Sequence, residues 1–420
     1  MKYQHALQDL LLSGQEKNIQ LVFTLLENDP SLERPPLIDQ AIQFYATLLT
    51  KKFLFRNKKR TEEVAILTNV LSLETYHYRK HSFEWLPLLA LLPQLKTFNL
   101  SEQKLLTIPP TIGQLQQVQQ LDLSKNRLQE LPAELANCQK LTTLLLDENK
   151  LSALPKGLEQ LQELSLGYPS WSALPEGLSD LTQLQKLTIS ATSFSCKDWA
   201  PLAALTQLED LTIRYTYWQE FPSFLGHFKA LKKLQVTHQN FSKLPVAVEA
   251  WNNVVYLNLE RNKLTTLPEA IQGWQQLVTL KLNHNQLKLL PEALVNLPQL
   301  STLFLNHNNL RSLPKDWSNL PQLNKLVLSN NQLNSLPNDF GQLPALQFLN
   351  LNHNQFTRVP SCLVAFNQLQ ELKLAGNPLT ALPTYLLDFH QLQALYLPKR
   401  LEEDPVAQQL QNRISVWFIP

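Results

Sequence analysis

Four of the nine histidines in this 420-residue chain, His238, His284, His307 and His353, share one register of a repeating segment. Imidazoles set at such intervals could hold a metal or answer to pH near neutrality. The flanking residues are Asn283, Asn306, Arg261 and Asn330, with no carboxylate or thiolate to complete a coordination shell. No metal is therefore expected. Duplication of Asn-His-Asn accounts for how the histidines arose, and it does not stop them from being used. A second pattern is Cys196-Lys197-Asp198, whose thiol could serve as a nucleophile. A third is Lys51-Lys52-Phe53-Leu54-Phe55-Arg56-Asn57-Lys58-Lys59-Arg60, six basic residues in ten. It could meet phosphate or anionic lipid, although a solvated face or loop has the same composition.

The register that carries the histidines is set by proline. Leu-Pro or a close variant recurs at Pro109, Pro132, Pro155, Pro175, Pro222, Pro245, Pro268, Pro291, Pro314, Pro337, Pro360 and Pro383. The period is 23, except for steps of 20 from Pro155 to Pro175 and 47 from Pro175 to Pro222. Around each proline runs Leu-x-x-Leu-x-Leu-x-x-Asn-x-Leu-x-x-Leu-Pro-x-x-Leu-x-x-Leu. Leu277, Leu280, Leu282, Asn285, Leu287, Leu290, Pro291, Leu294 and Leu297 form the cleanest copy. A fixed period of this length reads as a solenoid, in which one copy cannot bury its own apolar face and stacking is obligatory.

This frame resembles the leucine-rich repeat family, in the 23-residue Leu-Pro class of intracellular and bacterial scaffolds. The resemblance covers about residues 95 to 400, in thirteen copies plus a half. It implies an α/β solenoid, a right-handed horseshoe with short parallel strands inside and turns or short helices outside. In the family the Asn amide bonds backbone groups of the turn; Asn126, Asn149, Asn262, Asn285, Asn308, Asn331, Asn354 and Asn377 hold that position. The alternation in each copy predicts strands at 97–101, 120–124, 143–147, 163–167, 186–190 and 210–214, then one per period to 394–398. The leucine before each proline should be extended, and the proline should open a helical turn. Cys-x-Asp is also the form used by a class of bacterial ubiquitin ligases that carry such repeats. There it lies in a separate helical domain, whereas Cys196 lies inside a repeat.

Composition narrows the partner. The chain has 37 basic and 35 acidic residues, a net charge of +2, so global charge points to neither nucleic acid nor membrane. Nine glycines leave no glycine-rich phosphate loop. Cys138, Cys196 and Cys362 are too few and too scattered for a disulfide framework, and Cys138 stands where other copies carry leucine. Neither a signal peptide nor a run of about 18 apolar residues is found. A cytoplasmic monomer without cofactors is expected.

Residues 1–94 should cover the first end of the array with helices. Ser13-Gly14-Gln15-Glu16 has capping-box spacing before an apolar stripe, and further apolar-periodic stretches run from about 37 to 49 and from about 61 to 73. Residues 401–420 should cover the other end, with a helix at Glu402 to Arg413 and an apolar plug at Val416-Trp417-Phe418-Ile419.

The copies from Leu161 to Asn253 break the pattern. Pro169, Thr192, Thr216 and Gln239 replace the Asn, and aromatic residues crowd the stretch. Trp171, Phe194 and Trp218 hold leucine positions and should point into the core. Tyr168 and Tyr215 hold the last outward strand position instead. That column continues through His238, Arg261, His284, His307, Asn330 and His353, and adjacent strands lie about 4.8 Å apart, so His284 and His307 should be neighbours. The inner columns add Tyr256, Lys281, Phe304, Lys325, Phe348 and Lys373.

The expected function is a non-enzymatic protein-interaction scaffold that holds a protein or peptide, acidic if the mild basic excess counts, on its concave strands. The expected contact residues are Tyr168, Arg214, Tyr215, His238, Tyr256, Arg261, Lys281, His284, Phe304, His307, Phe348 and His353. Two alternatives belong to other classes. One is an adaptor whose basic segment 51–60 contacts nucleic acid or anionic membrane while the array binds protein; the other is a thiol enzyme using Cys196.

Overall fold

The computed structural model describes residues 72–74, 95–167, 174–190 and 199–420. The basic segment 51–60, the expected N-terminal helices, Tyr168, Trp171, Phe194 and Cys196 lie outside these residues. The chain forms two compact units that meet in sequence at Leu205 and Thr206.

Among the described residues the first unit holds six strands: β1 (Ser72–Glu74), β2 (Thr97–Asn99), β3 (Gln120–Asp122), β4 (Thr143–Leu145), β5 (Glu163–Gly167) and β6 (Lys186–Ser190). The second contributes β7 (Asp210–Arg214), β8 (Lys233–Thr237), β9 (Tyr256–Asn258), β10 (Thr279–Lys281), β11 (Thr302–Phe304), β12 (Lys325–Val327), β13 (Phe348–Asn350), β14 (Glu371–Lys373), β15 (Ala394–Pro398) and β16 (Ser415–Ile419). Within each unit every strand pairs in parallel with the next in sequence. In the second unit Leu257, Leu280, Leu303, Leu326, Leu349 and Leu372 stand in register. Leu280 and Leu282 are wholly buried, as the alternation requires.

From 97 to 394 every strand starts where the leucine phase places it, but most end two residues early. The cause is the asparagine. Nδ2 of Asn308 donates to the carbonyls of Leu282 and Leu305, each at 3.0 Å, and Oδ1 accepts from the Leu287 amide at 3.0 Å. The side-chain amide thus occupies a carbonyl that a longer ladder would use. Where Thr216 and Gln239 replace the Asn, β7 and β8 pair over five residues; Gln239 Oε1 still accepts from the Trp218 amide, and also from the Thr216 hydroxyl, but its Nε2 donates to the Thr237 carbonyl.

Opposite the strands the chain turns through 3-10 helices of three to five residues, such as Glu292–Asn296. The expectation that proline starts the helical turn is off by one position. Pro291 caps it from outside with φ −69° and ψ 150°, and its carbonyl accepts from the Leu294 amide at 3.1 Å. The locked φ of proline suits this extended cap as well as it suits a helix.

Two other expectations change at the C-terminal end. The helix α1 covers only Pro405–Gln411, because Asp404 caps it by accepting from Val406 and Ala407 and Pro405 takes its first position. Residues 415–419 are no buried plug. They form strand β16 on β15, with Trp417 55% exposed and Val416 and Phe418 half-buried. At the other end β1 shows that strand pairing already reaches residue 72, inside the stretch expected to be helical cover. Cys138 fills its leucine position as expected, wholly buried, with Sγ donating to the Ile112 carbonyl at 3.3 Å.

Candidate functional site

Strand side chains that alternate with the buried leucines form the open face of the second unit. Its first and third strand columns interlock. Lys233 lies on β8, Tyr256 on β9, Lys281 on β10, Phe304 on β11, Lys325 on β12, Phe348 on β13, Lys373 on β14 and Tyr396 on β15. Lys281, Lys325 and Lys373 each sit near the ring on either side, and Lys233 near one: Lys233 is 5.9 Å and Lys281 5.5 Å from Tyr256. Lys281 and Lys325 are 5.5 and 5.4 Å from Phe304; Lys325 and Lys373 are 4.8 and 5.3 Å from Phe348. Lys373 also lies 4.2 Å from Tyr396, whose ring stacks on Trp417 at 6.3 Å. All members before Trp417 are half-buried.

This ladder follows from period 2 along strands and from copies in register. It holds long flexible lysines at fixed places, each exposed cation–π contact contributing on the order of 0.5–1 kcal/mol. Lys233 pairs with Asp210 and Lys373 with Glu371, both at 2.9 Å. Among the described residues Lys281 and Lys325 make no ion pair.

The outer column does not sit where the sequence suggested. Tyr215, His238, Arg261, His284, His307, Asn330 and His353 lie past the strands, all with φ between 52° and 58°. The left-handed conformation favours Asn, Asp and His among residues other than glycine. Part of the histidine recurrence is thus a backbone demand. In the next copy Gly376 has φ 68°, and the His353 ring fills the space its Cβ would need.

The column still presents side chains together. The rings of His284 and His307 stack at 4.2 Å with 9° between their planes, and Tyr215 meets His238 at 4.1 Å. Arg261 and Asn330 interrupt the histidines, and Arg214, Arg261, His307 and His353 are exposed. Among the described residues no three His, Cys, Asp or Glu side chains gather as a metal would require. The thiols of Cys138 and Cys362 are both pushed up to about 11, chiefly by burial, so neither is a ready nucleophile.

The imidazole of His284 has its pKa lowered by burial, then by the neighbouring His307 and Arg261, against a smaller opposing pull from Glu260. Burial and Arg261 lower His238 in the same direction. The folded state therefore binds fewer protons than the unfolded chain as pH falls through 6.5. Stability should be complete above that value and decline below it. NMR titration of His284 should give a midpoint under 6.5; a midpoint above it would show that an acidic neighbour, and not burial, controls the ring.

Sequence reading found Tyr256, Lys281, Phe304 and Phe348 but not the ladder. Lys325 and Lys373 were seen only as members of a column; Lys233 and Tyr396 were missed, and Trp417 was assigned to a plug. Reading the first and third outward columns as one surface gives all of them.

Comparisons with known proteins agree with this geometry. A model described as a leucine-rich repeat region matches residues 65–202, and one described as a leucine rich repeat matches 229–287, 268–310 and 298–356. None of the curated proteins matches in sequence. Among solved structures, a leucine-rich repeat protein of Leptospira interrogans is 27% identical with a TM-score of 0.63, the match covering 87% of this chain and 100% of that one. A TDR receptor is 24% identical with a TM-score of 0.64, over 86% of this chain and 65% of its own. The repeat ectodomain of the Arabidopsis thaliana membrane receptor kinase GASSHO1/SCHENGEN3, in complex with Casparian strip integrity factor 2, is 25% identical with a TM-score of 0.51. That match covers 74% of this chain and 46% of the receptor's. The chain thus spans less than two thirds of the length of both receptors. With the frame, the parallel strands and the asparagine ladder in place, the chain belongs to the leucine-rich repeat family.

Proposed function

We propose that this protein is a non-enzymatic interaction scaffold that binds a protein or peptide on the open strand face of residues 206–420. The lysine–aromatic ladder carries the reading. Half-buried rings between lysines form a surface that is preorganised, partly apolar and positively charged. Aromatic residues tend to dominate interface energy, and fixed side chains lose less entropy on binding. A structural neighbour in complex with another factor supports a macromolecular ligand for the same fold.

Six Lys and Arg residues (Lys233, Lys281, Lys325, Lys373, Arg214 and Arg261) face three acids (Asp210, Glu260 and Glu371) on this surface. The excess favours an acidic partner, mainly through the rate of association. In this reading the protein works as a monomer in the cytoplasm, with residues 1–94 and 401–420 covering the ends of the array. No helix among the described residues is long and apolar enough to cross a membrane.

Tyr256→Ala together with Phe304→Ala is expected to weaken partner binding by more than about 2 kcal/mol. Lys281→Glu should mainly slow association. Surface plasmon resonance on the partner captured from the native host checks both. Normal binding by these variants, with a footprint wholly on the turns or on residues 1–94, would overturn the reading.

A further inference from the structure

Beside the ladder, at the rim where β7, β8 and β9 end, two guanidinium groups flank one imidazole. Arg214 pairs with Thr237, the residue before His238, and three residues beyond the Gln235–Asn258 pair His238 stands beside Arg261. Backbone pairing continues into this rim: the His238 amide donates to the Glu260 carbonyl at 3.3 Å and the Arg261 amide to the Asn283 carbonyl at 3.0 Å. Both arginines are exposed, and among the described residues neither side chain makes an ion pair or a hydrogen bond. Burial lowers the pKa of His238 most, and the fields of Arg261 and Arg214 lower it further. The ring itself is held in place. Tyr215 covers it at 4.1 Å, and its Nδ1 lies 3.2 Å from the Thr237 hydroxyl, which leaves Nε2 without a partner. The acid of this rim, Glu260, is turned to Asn283, whose Nδ2 donates to it at 3.1 Å.

We propose that this rim binds the phosphoryl group of a phosphorylated protein segment, with Arg214, Arg261 and His238 as its ligands. The inference rests on the open-face reading and names the chemistry of that partner. A carboxylate brings two oxygens and one charge, and the fork of a single guanidinium satisfies it. The second guanidinium and the imidazole would then face nothing. A phosphomonoester brings three acceptor oxygens and about two negative charges. It neutralises both arginines and leaves one oxygen for His238. As an imidazolium, His238 donates through Nδ1 to the Thr237 hydroxyl and through Nε2 to that oxygen.

Exposure of the rim favours a protein segment over a free ion. Inorganic phosphate seated on two exposed side chains keeps much of its hydration and gains nothing else. A segment carrying the group also reaches Tyr256, on the strand that leads to Arg261, and from there the lysine–aromatic ladder. Aromatic anchors of this kind tend to dominate interface energy, so the phosphoryl group sets specificity while the rings add affinity.

The test is fluorescence anisotropy on the full chain with labelled synthetic peptides of serine, leucine and glycine that carry one phosphoserine. The same peptide without the phosphoryl group is compared, and so is one with two adjacent glutamates in place of the phosphoserine. Inorganic phosphate and phosphatidic acid vesicles are unlabelled competitors. The phosphopeptide is expected to bind at least ~10-fold more tightly than the diglutamate peptide. Arg214→Gln with Arg261→Asn should abolish that advantage. The unfolding transition should not change, because both side chains are exposed and asparagine accepts the left-handed backbone of position 261. Lys281→Gln with Lys325→Gln should preserve the ratio, which a general attraction to positive charge would not. The inference fails if the diglutamate peptide binds equally, if the advantage survives loss of both arginines, or if it disappears with the two lysines. It fails too if inorganic phosphate or the vesicles bind as tightly as the phosphopeptide, or if no peptide binds. Should Tyr256→Ala with Phe304→Ala still weaken the native partner in any of these cases, the open-face reading would stand without it.

Discussion

Asn308→Ala should lower the stability of the 206–420 unit by about 3 kcal/mol or more. The side chain is 7% exposed and holds three backbone groups at 3.0 Å: the carbonyls of Leu282 and Leu305 and the amide of Leu287. Alanine leaves them buried in a space too apolar to replace the bonds, and each such loss costs about 1–3 kcal/mol. Asn308→Asp should fare little better, since it keeps the acceptor and loses the donor. Guanidinium unfolding gives the size of the effect. Hydrogen exchange gives its location, because a repeat array can open around one weakened copy. The Leu287 amide should lose most of its protection. A change below about 1 kcal/mol would mean that water replaces the amide, and that the asparagine does not determine where the strands end.

Trp274→Ala should cost more, about 3–5 kcal/mol. The indole is fully buried, stacks on Trp251 at 6.0 Å, and donates through Nε1 to the Val248 carbonyl at 2.8 Å. Alanine removes the largest side chain of its copy and the hydrogen bond together. Trp274→Phe should recover most of the loss, because it keeps the bulk and sacrifices only the bond. Denaturant unfolding of the two variants separates the contributions. Equal losses would show that the Val248 carbonyl, not the packing, dominates.

The sequence specified the leucine phase so strongly that every strand from 97 to 394 begins at its expected residue. Strand ends were not legible, because they depend on a side chain: Asn308 and its equivalents take carbonyls that the backbone ladder would otherwise use. The histidine column looked like a strand position because period 2 was extended past the point where the chain turns left-handed. Trp417 looked like part of an apolar plug because its segment is apolar, yet β16 continues the sheet and leaves it 55% exposed. The lysine–aromatic ladder was hidden for a different reason. Its members alternate between two columns, so neither column alone shows the pattern, and only strand pairing brings them together.

The central claim is that the partner lies on the open strand face. Photo-cross-linking tests it most directly, with benzoylphenylalanine placed at Phe304 on that face or at Leu289, which is 60% exposed in the segment leading to Pro291. With the partner captured from the native host, the adduct should form at position 304 and be absent at 289. An adduct at 289 with none at 304 would contradict the account.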